Sequence, residues 1–399
     1  MLNIVVQKYG GTSVSTKEKR KKVIEKIKIA KNNGEIPVIV VSAMGRKGEP
    51  YATDTLLSLV DSKMALVNKQ GIDLLMCCGE IISSVVLCSE LLNEGIEAIP
   101  LTGGQAGIIT DNNFTNASLV DVNGENIINV IKEGKIPVIT GFQGSTSNGF
   151  LTTLGRGGSD TSAAIVGAMI KAKRIEIYTD VDGIMTADPR IVHDASVIKV
   201  LNYDEVFQLA DQGAKVIHPK AIEIAKANNI PVYIKNTMNN HEGTIINNIG
   251  DVNNKRLVTS ITSADNRIQV IVKKTDNLDN NEYNNILQEI AKNKISLDLI
   301  NIFPSKLIFT IPKDAKEKLE NIFNELKIKY KIKENCSQVA LVGSGMRGVP
   351  GVMAKIYNAL NSNNIEVLQT ADSHMTIWCL IYTDNLNEGI NALHKAFSL

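Results

Sequence analysis

Thr153-Leu154-Gly155-Arg156-Gly157-Gly158-Ser159-Asp160-Thr161-Ser162-Ala163-Ala164 is a glycine loop that runs without interruption into an alanine-rich helix. Three glycines let the backbone approach a ligand closely, and the free N–H groups of a helix's first turn face a negative charge. Ser159 or Asp160 is expected to cap that helix, and Arg156 adds a planar two-pronged donor suited to a carboxylate or phosphate. The junction therefore predicts an anion site where a loop enters a helix, the arrangement found at the strand ends of an open α/β sheet. A second loop, Lys8-Tyr9-Gly10-Gly11-Thr12-Ser13, follows the first apolar run and again combines glycine, hydroxyl and cation. Two loops of phosphate type in one chain point to phosphoryl transfer.

Around these loops, from Asn3 to about Asn248, short Val/Ile-rich runs alternate with helical patterns. Strands are predicted over 4–7, 37–41, 98–101, 137–140, 175–179 and 231–234, and helices over 17–32, 55–69, 74–93, 126–133, 161–171 and 219–228. The strands lack apolar/polar alternation, as strands covered on both faces do. The fold class expected is α/β, a three-layer αβα sandwich with a mostly parallel open sheet, residues 144–153 forming a hairpin attached to it. The polar, Asn- and Gly-rich stretch 239–255 reads as the way out of this domain. After it the pattern spells β-α-β-β-α-β over 268–332, and again over 339–397 but one strand short. The apolar run 257–261 is predicted to supply the missing strand, so that the first unit is inserted within the second. The boundaries expected are 1–248 for the catalytic domain, 249–255 for the linker, 266–334 for the first small unit, and 256–265 with 335–399 for the second.

Composition excludes several classes of function. The 399 residues suit two or three domains, and 44% apolar residues support their cores. Lys plus Arg is 43 against 42 for Asp plus Glu, so no net charge draws the chain to nucleic acid or an acidic membrane. The lysines of 17–31 read as the wet face of a helix whose apolar stripe is Val23, Ile27 and Ala30. No stretch is read as the roughly 20 apolar residues of a bilayer span, and the N-terminus enters a strand directly, so the cytoplasm is expected. Five cysteines without C-x-x-C spacing argue against a disulfide frame and a zinc site, and no protein-held metal is expected.

The chemistry-bearing residues gather in the first domain. The P-loop pattern is absent, and Gly343-Ser344-Gly345-Met346-Arg347-Gly348 has too little chain after it for a dinucleotide fold. Lys8, at a strand end against two glycines, is placed to meet a transferring phosphoryl group. Thr179-Asp180-Val181-Asp182-Gly183 ends another strand and leads to Met185-Thr186-Ala187-Asp188-Pro189-Arg190, a polar loop suited to a base and sugar. Gly213-Ala214-Lys215 offers a second cation, and Glu80 in an otherwise apolar helix needs a cationic or multiply hydrogen-bonded partner, which a substrate ammonium would supply.

Lys8-Tyr9-Gly10-Gly11-Thr12-Ser13-Val14, Val41-Ser42-Ala43-Met44-Gly45, Gly141-Phe142-Gln143-Gly144, Gly155-Arg156-Gly157-Gly158-Ser159-Asp160 and Thr179-Asp180-Val181-Asp182-Gly183 together resemble the aspartate kinases, of the amino-acid kinase fold. The doubled unit resembles their paired, interleaved ACT domains of ferredoxin-like βαββαβ form, so the resemblance covers nearly all of the chain. It implies transfer of the γ-phosphoryl of ATP to the β-carboxylate of L-aspartate, giving 4-phospho-L-aspartate for lysine, threonine, methionine and diaminopimelate biosynthesis. By motif position, Lys8 would stabilise the phosphoryl group, Asp160 would orient Lys8 or the metal shell, and Gly10 and Gly11 would lend backbone N–H groups. Arg156 would clamp the α-carboxylate of aspartate and Glu80 its ammonium, with Ser42, Thr53, Gly157, Gly158 and Ser159 completing the pocket. Thr179, Asp180, Arg190 and Lys215 match positions that hold ATP, whose phosphates would carry Mg2+. Met185 departs from the aromatic residue of some members.

The resemblance further implies homodimers through the ACT units and feedback by an end-product amino acid: diaminopimelate, lysine or threonine. Residues 370–378 resemble the diaminopimelate-responsive form more than the lysine-responsive ones. Asp298, Thr370 and Asp372 are expected to line the effector pocket, while Asp276 to Asn281 stand where a Pro-Gly turn is common. Two other readings are a kinase for another carboxylate such as N-acetylglutamate, and an amino-acid sensor with a dead kinase domain. Glu80 opposite Arg156 disfavours the first, and intact Lys8, Arg156 and Asp160 disfavour the second.

Overall fold

The computed structural model describes residues 2–213, 216–252, 256–273, 281–346 and 348–399, and the chain divides into two compact units. The first holds the chain up to Ile184, Val197–Ala210 and the stretch from 216 to 252; the second holds Met185–Ser196, the stretch around Gln212 and the chain from 256 on.

In the first unit the chain runs β1 (Ile4–Tyr9), α1 (Gly11–Val14), α2 (Lys17–Asn32), β2 (Ile36–Val41), α3 (Thr53–Leu57), α4 (Ser62–Val67), α5 (Lys69–Asn93), β3 (Ala98–Leu101), β4 (Ile108–Thr110), β5 (Leu119–Val122) and α6 (Glu125–Lys132). It continues through β6 (Ile136–Thr140), β7 (Gln143–Thr146), β8 (Leu151–Thr153), α7 (Gly158–Met169), β9 (Arg174–Thr179), β10 (Val200–Asn202), α8 (Tyr203–Asp211), α9 (Pro219–Ala227), β11 (Val232–Asn236) and β12 (Thr244–Asn247). Among the described residues, eight strands form one sheet in the order β10-β12-β11-β9-β1-β2-β6-β3, parallel except where β11 meets β12. The period-two geometry of β1 and β9 sends Tyr9 and Tyr178 to one face, into a core with Val23, Ile27, Leu87 and Leu91 of α2 and α5. Val6 and Ile175 point to the other face, under Gly167 of α7. Helices therefore cover both faces. The carboxyl ends of β9, β1, β2 and β6 open on one side, and β1 sits between strands reached in opposite directions, the switch point at which such sheets bind ligands.

Several expectations are corrected here. The helix expected over 55–69 is broken into α3 and α4, and α5 starts at Lys69 instead of Leu74, because Asp61 and Asn68 accept the N–H groups of Lys63 and Gly71 and cap new helices. The cap of α7 is Gly157, in the left-handed conformation, while Ser159 and Asp160 lie inside the first turn. The hairpin β7–β8 belongs to a separate four-stranded sheet, β5-β4-β7-β8. β12 forms within the asparagine-rich stretch expected to leave the domain, because Ile246 can bury against the sheet. Lys26 is not on the wet face: it is buried and donates to Asn240 Oδ1 at 2.6 Å. α5 is long and apolar enough to cross a membrane by length and composition, contrary to the sequence reading. In the fold it is a core helix that buries Leu87 and Leu91 against the sheet and carries two buried carboxylates, Asp73 and Glu80.

The second unit comprises β13 (Ser260–Lys273), α10 (Asn281–Lys292), β14 (Asp298–Phe303), β15 (Lys306–Pro312), α11 (Lys316–Glu325), β16 (Tyr330–Val342), α12 (Val352–Asn361), β17 (Gln369–Asp372), β18 (Thr376–Tyr382) and α13 (Leu386–Phe397). One six-stranded sheet runs β14-β15-β13-β16-β18-β17. Where four short strands were expected, β13 and β16 each run through both halves, with irregular register between Ala264 and Gln269. Asn266 and Asn335 take positive φ at that bend, a conformation asparagine tolerates. Ser260–Ala264 pair with Val342–Gln338, and the other half of β13 pairs with Tyr330–Lys333. Each half has its own core, one around Phe309 and Phe323, the other around Leu341, Ile356 and Leu393. The stretch Asp276 to Asn281, which stands where a Pro-Gly turn is common, falls almost entirely outside the described residues.

Ala187 and Val192 are buried in the second of these cores, and Thr186 Oγ1 lies 2.9 Å from His394 Nε2. Near the other segment, Gln212 Oε1 accepts from Trp378 Nε1 at 2.7 Å and Gln338 Nε2 at 3.2 Å.

Candidate active site

Lys8, one residue from the end of β1, meets Asp160 in the first turn of α7: Nζ and Oδ1 are 2.8 Å apart, an ion pair with both side chains only 13% exposed. The second oxygen of Asp160 accepts the His218 N–H at 3.3 Å, so the carboxylate is fixed on both sides. Gly157 makes this approach possible. Its φ is +69°, and an added Cβ would lie 2.2 Å from the His218 ring. Lys8, Gly11, Ser42, Thr53, Glu80, Gly157, Gly158, Ser159 and Asp160 line one cleft of about 340 Å³, whose wall also includes Phe142, Arg46, Lys47 and Asp54.

Glu80 enters this cleft from α5 and is 2% exposed. Its Oε1 accepts the Ala43 N–H at 3.1 Å, and Oε2 has no partner. Gly79 permits this, because a Cβ there would press against Ala43 Cβ at 2.7 Å and the Tyr51 carbonyl at 3.0 Å. Burial pushes the Glu80 carboxyl up to about 8, against the smaller opposing effect of the Ala43 and Glu80 backbone N–H groups. A buried carboxyl with an unpaired oxygen facing a cleft is suited to a cation. Seven residues earlier on the same helix, Asp73 is fully buried and accepts from Thr153 Oγ1 at 2.7 Å and from the Thr153 and Thr115 N–H groups, so it anchors the strand that leads into Gly155.

A second cleft of about 310 Å³ opens beside the first, over the ends of β9 and β11 and the start of α2. Thr179, Asp180 and Thr237 line it with Thr12, Ser15, Lys19 and Arg46. Arg46 Nη2 lies 2.7 Å from Asp180 Oδ2 and joins the two loops. The space holds five hydroxyl side chains, the cations Lys19 and Arg46, the carboxylates Glu49 and Asp180, and Met238; its hydroxyls and cations are groups that hydrogen-bond phosphates and ribose hydroxyls.

The structure thus gathers Lys8, Gly11, Ser42, Thr53, Glu80, Gly157, Gly158, Ser159 and Asp160 at one cleft and Thr179 and Asp180 at the other. Gly10 lines neither, though its N–H donates to the Tyr178 carbonyl at 3.3 Å and holds the loop against β9. Arg156 is exposed, and its side chain lines neither cleft, although its neighbours Gly157 and Gly158 do. Arg190 belongs to the Met185–Ser196 segment of the second unit, and its Nη2 pairs with Asp188 at 2.6 Å. The apolar Ala187 and Val192 on either side take this loop into that unit's core. Lys215 lies outside the described residues. Of the effector candidates, Asp298 pairs with Arg267 at 2.9 Å. Thr370 and Asp372 lie on β17, and β17 approaches β14 through Gln369, whose Nε2 is 2.6 Å from Asn301 Oδ1.

Sequence reasoning missed Arg46, Lys19 and Phe142. Arg46 follows the quoted run Val41 to Gly45 by one residue. Phe142 stands inside a quoted motif, and no pattern announces its positive φ of 70° or the ring it lays over Gly158.

Comparison with known proteins supplies the rest. The model of the amino acid kinase family matches residues 3–236, and an ACT domain model matches residues 331–395. The chain is 42% identical to aspartokinase 1 of Bacillus subtilis over 406 aligned residues, covering all of both proteins. It is 34% identical to an aspartokinase of Geobacillus stearothermophilus, covering all of this chain and 98% of that one. Its fold is similar to that of E. coli aspartokinase III solved with aspartate and ADP, at a TM-score of 0.77 and 23% identity over 99% of this chain and all of that one. It is likewise similar to the Clostridium acetobutylicum aspartate kinase, at a TM-score of 0.79 and 24% identity over 98% of this chain.

Proposed function

The chain belongs to the aspartokinase family, and from that premise we propose how its residues divide the reaction. It is an ATP-dependent kinase acting on the carboxyl group of aspartate, with regulation through ACT domains. A side-chain carboxylate with a pKa of about 3.9 is ionised at neutral pH, so the nucleophile needs no general base. The site has to bring two anions together and stabilise charge on the moving phosphoryl group. Lys8, held by Asp160, faces that group, and the first turn of α7 with Gly157 and Gly158 receives its oxygens. Glu80 takes the ammonium of aspartate, Ser42, Thr53 and Ser159 bind its polar atoms, and Arg156 turns in from solvent onto the α-carboxylate. ATP lies over Thr179 and Asp180. Mg2+ would travel mainly on the ATP phosphates, where Asp160 and Asp180 are the nearby carboxylates for its water shell.

The observation that carries this reading is the unpaired Oε2 of buried Glu80 in the cleft that also holds the Lys8–Asp160 pair. A free amino acid satisfies it, whereas an N-acylated one brings no ammonium. The test supplies ATP, Mg2+, hydroxylamine and a candidate acid. Acyl hydroxamate from L-aspartate and none from N-acetylglutamate is expected; the reverse would overturn the assignment.

The same proposal places the enzyme in the cytoplasm, where ATP and free aspartate meet. It makes a diaminopimelate-type, lysine or threonine effector bind near β14 and β17, and it pairs two chains through the second unit, where Ile300, Ile302 and Phe303 are exposed on the edge strand β14. Trp378 sits across from Ala371 in β17, so its fluorescence reports which amino acid binds. Substituting Asp298, Thr370 and Asp372 together is expected to abolish feedback; unchanged inhibition would move the effector site elsewhere.

A further inference from the structure

Among the described residues Arg46 is the one side chain that lines both clefts. It stands between the acceptor side, with Lys8 and Glu80, and the side of Thr179 and Asp180. A phosphoryl group passing from nucleotide to acid has to cross at that point. We propose that Arg46 is a phosphate clasp, which leaves Asp180 when the triphosphate enters and grips the phosphoryl group during transfer. The inference rests on the reading that ATP lies over Thr179 and Asp180.

The present partner of Arg46 is easily exchanged. The Arg46 and Asp180 side chains are 70% and 53% exposed, and ion pairs so open to water contribute little. A triphosphate brings several negative charges and oxygens spaced for a two-pronged guanidinium, so it outcompetes one solvated carboxylate. The backbone allows the swing. Gly45 and Gly48, both at positive φ, bracket Arg46 and Lys47, and the Glu49 carboxylate accepts the Arg46 N–H. Lys8 is fixed by Asp160 in a largely closed site, so it meets the phosphoryl group at one point of its path and does not follow it. Lys47 lines only the acceptor cleft and Lys19 only the other, so Arg46, once it releases Asp180, is the cation that adds to Lys8 along the path between them. In the step itself the aspartate oxygen–phosphorus bond forms as the bond to the ADP oxygen breaks. Arg46 makes no covalent bond and moves no proton. Asp180, once released, would be a carboxylate free to accept from water on the Mg2+ that the ATP phosphates carry.

The test uses the full-length protein and the variants Arg46→Ala, Arg46→Gln and Arg46→Lys. Hydroxamate kinetics are combined with calorimetric titration of ATP and of ADP. Arg46→Ala and Arg46→Gln are expected to lower kcat by about 100-fold or more, with the KM for aspartate within about threefold of wild type. Both should bind ATP about tenfold or more weakly while ADP affinity stays within about threefold, and Arg46→Lys should fall between them and wild type. Thermal melting should not move, because only an exposed pair is lost, so the neutral variants are readable as folded enzymes. The inference is overturned if kcat and the ATP-to-ADP affinity ratio are unchanged. It is equally overturned if the loss appears in the KM for aspartate alone, which would assign Arg46 to the acceptor. If Asp180→Asn leaves binding of both nucleotides unchanged, the placement of ATP fails instead.

Discussion

Glu80 carries a sharp pH signature. Its carboxyl is pushed up to about 8 by burial, whereas the unfolded chain titrates it near the ordinary 4.5. Between those values the folded protein holds a proton that the unfolded chain releases, so this group's contribution to stability falls as pH rises across that window. Binding an ammonium requires the carboxylate, so aspartate binding expels the proton below about pH 8. The KM for aspartate is expected to fall from pH 6 to 8 and then level, and in Glu80→Gln to be raised about 10–100-fold and pH-independent. A flat wild-type profile would remove Glu80 from the acceptor site. Lys8→Met, by contrast, should lower kcat by about 100–1,000-fold with little change in either KM, as loss of a group that acts on the phosphoryl in flight does. At this scale the sequence was most legible where charge meets glycine: Lys8, Glu80 and Asp160 fall together because a charged residue at a strand end or in an apolar helix has few structural uses. Arg46 was illegible, since an exposed arginine in a polar loop has many.

At the level of elements, α5 is the part that positions the acceptor side. Gly79 brings it against the Ala43 loop, and Asp73 ties it to Thr153 and Thr115. Gly79→Ala must displace the Ala43 Cβ or the Tyr51 carbonyl, and is expected to raise the KM for aspartate about tenfold while the KM for ATP stays within about twofold. Equal changes in both constants would mean a global fault instead. Most of the longer helices were readable from apolar periodicity, but several ends were not. Side chains at Asp61 and Asn68 win locally over propagation, and Gly157 starts α7 earlier than the pattern suggests. α8 went unread although its signal is present: Asn202 Oδ1 accepts the Glu205 N–H at 2.9 Å and Glu205 Oε2 accepts the Asn202 N–H at 3.2 Å, a reciprocal cap spelled Asn-x-x-Glu.

For the molecule as a whole, the single tryptophan, Trp378, lies in the second unit and reports on that unit alone. Val192, 3% exposed in its core, comes from a segment that the sequence places between strands of the first unit. Val192→Ala is expected to destabilise the unit by about 1–3 kcal/mol, seen as a lower urea midpoint of Trp378 fluorescence. Leu87→Ala, in the other core, should lower the midpoint for loss of activity and leave the Trp378 transition in place. If the two variants shift both signals together, the units unfold as one.

The sequence by itself determined the parallel α/β sheet, the doubled second half and the pair of glycine–charge loops, because apolar periodicity and glycine–charge junctions act over a few residues at a time. Only the tertiary structure decided that β13 and β16 run unbroken through both halves, that Met185–Ser196 packs into the second unit, and that Arg46 faces both clefts. Those outcomes depend on which distant surfaces exclude water from one another, and buried area between residues far apart in the chain leaves no local pattern to read.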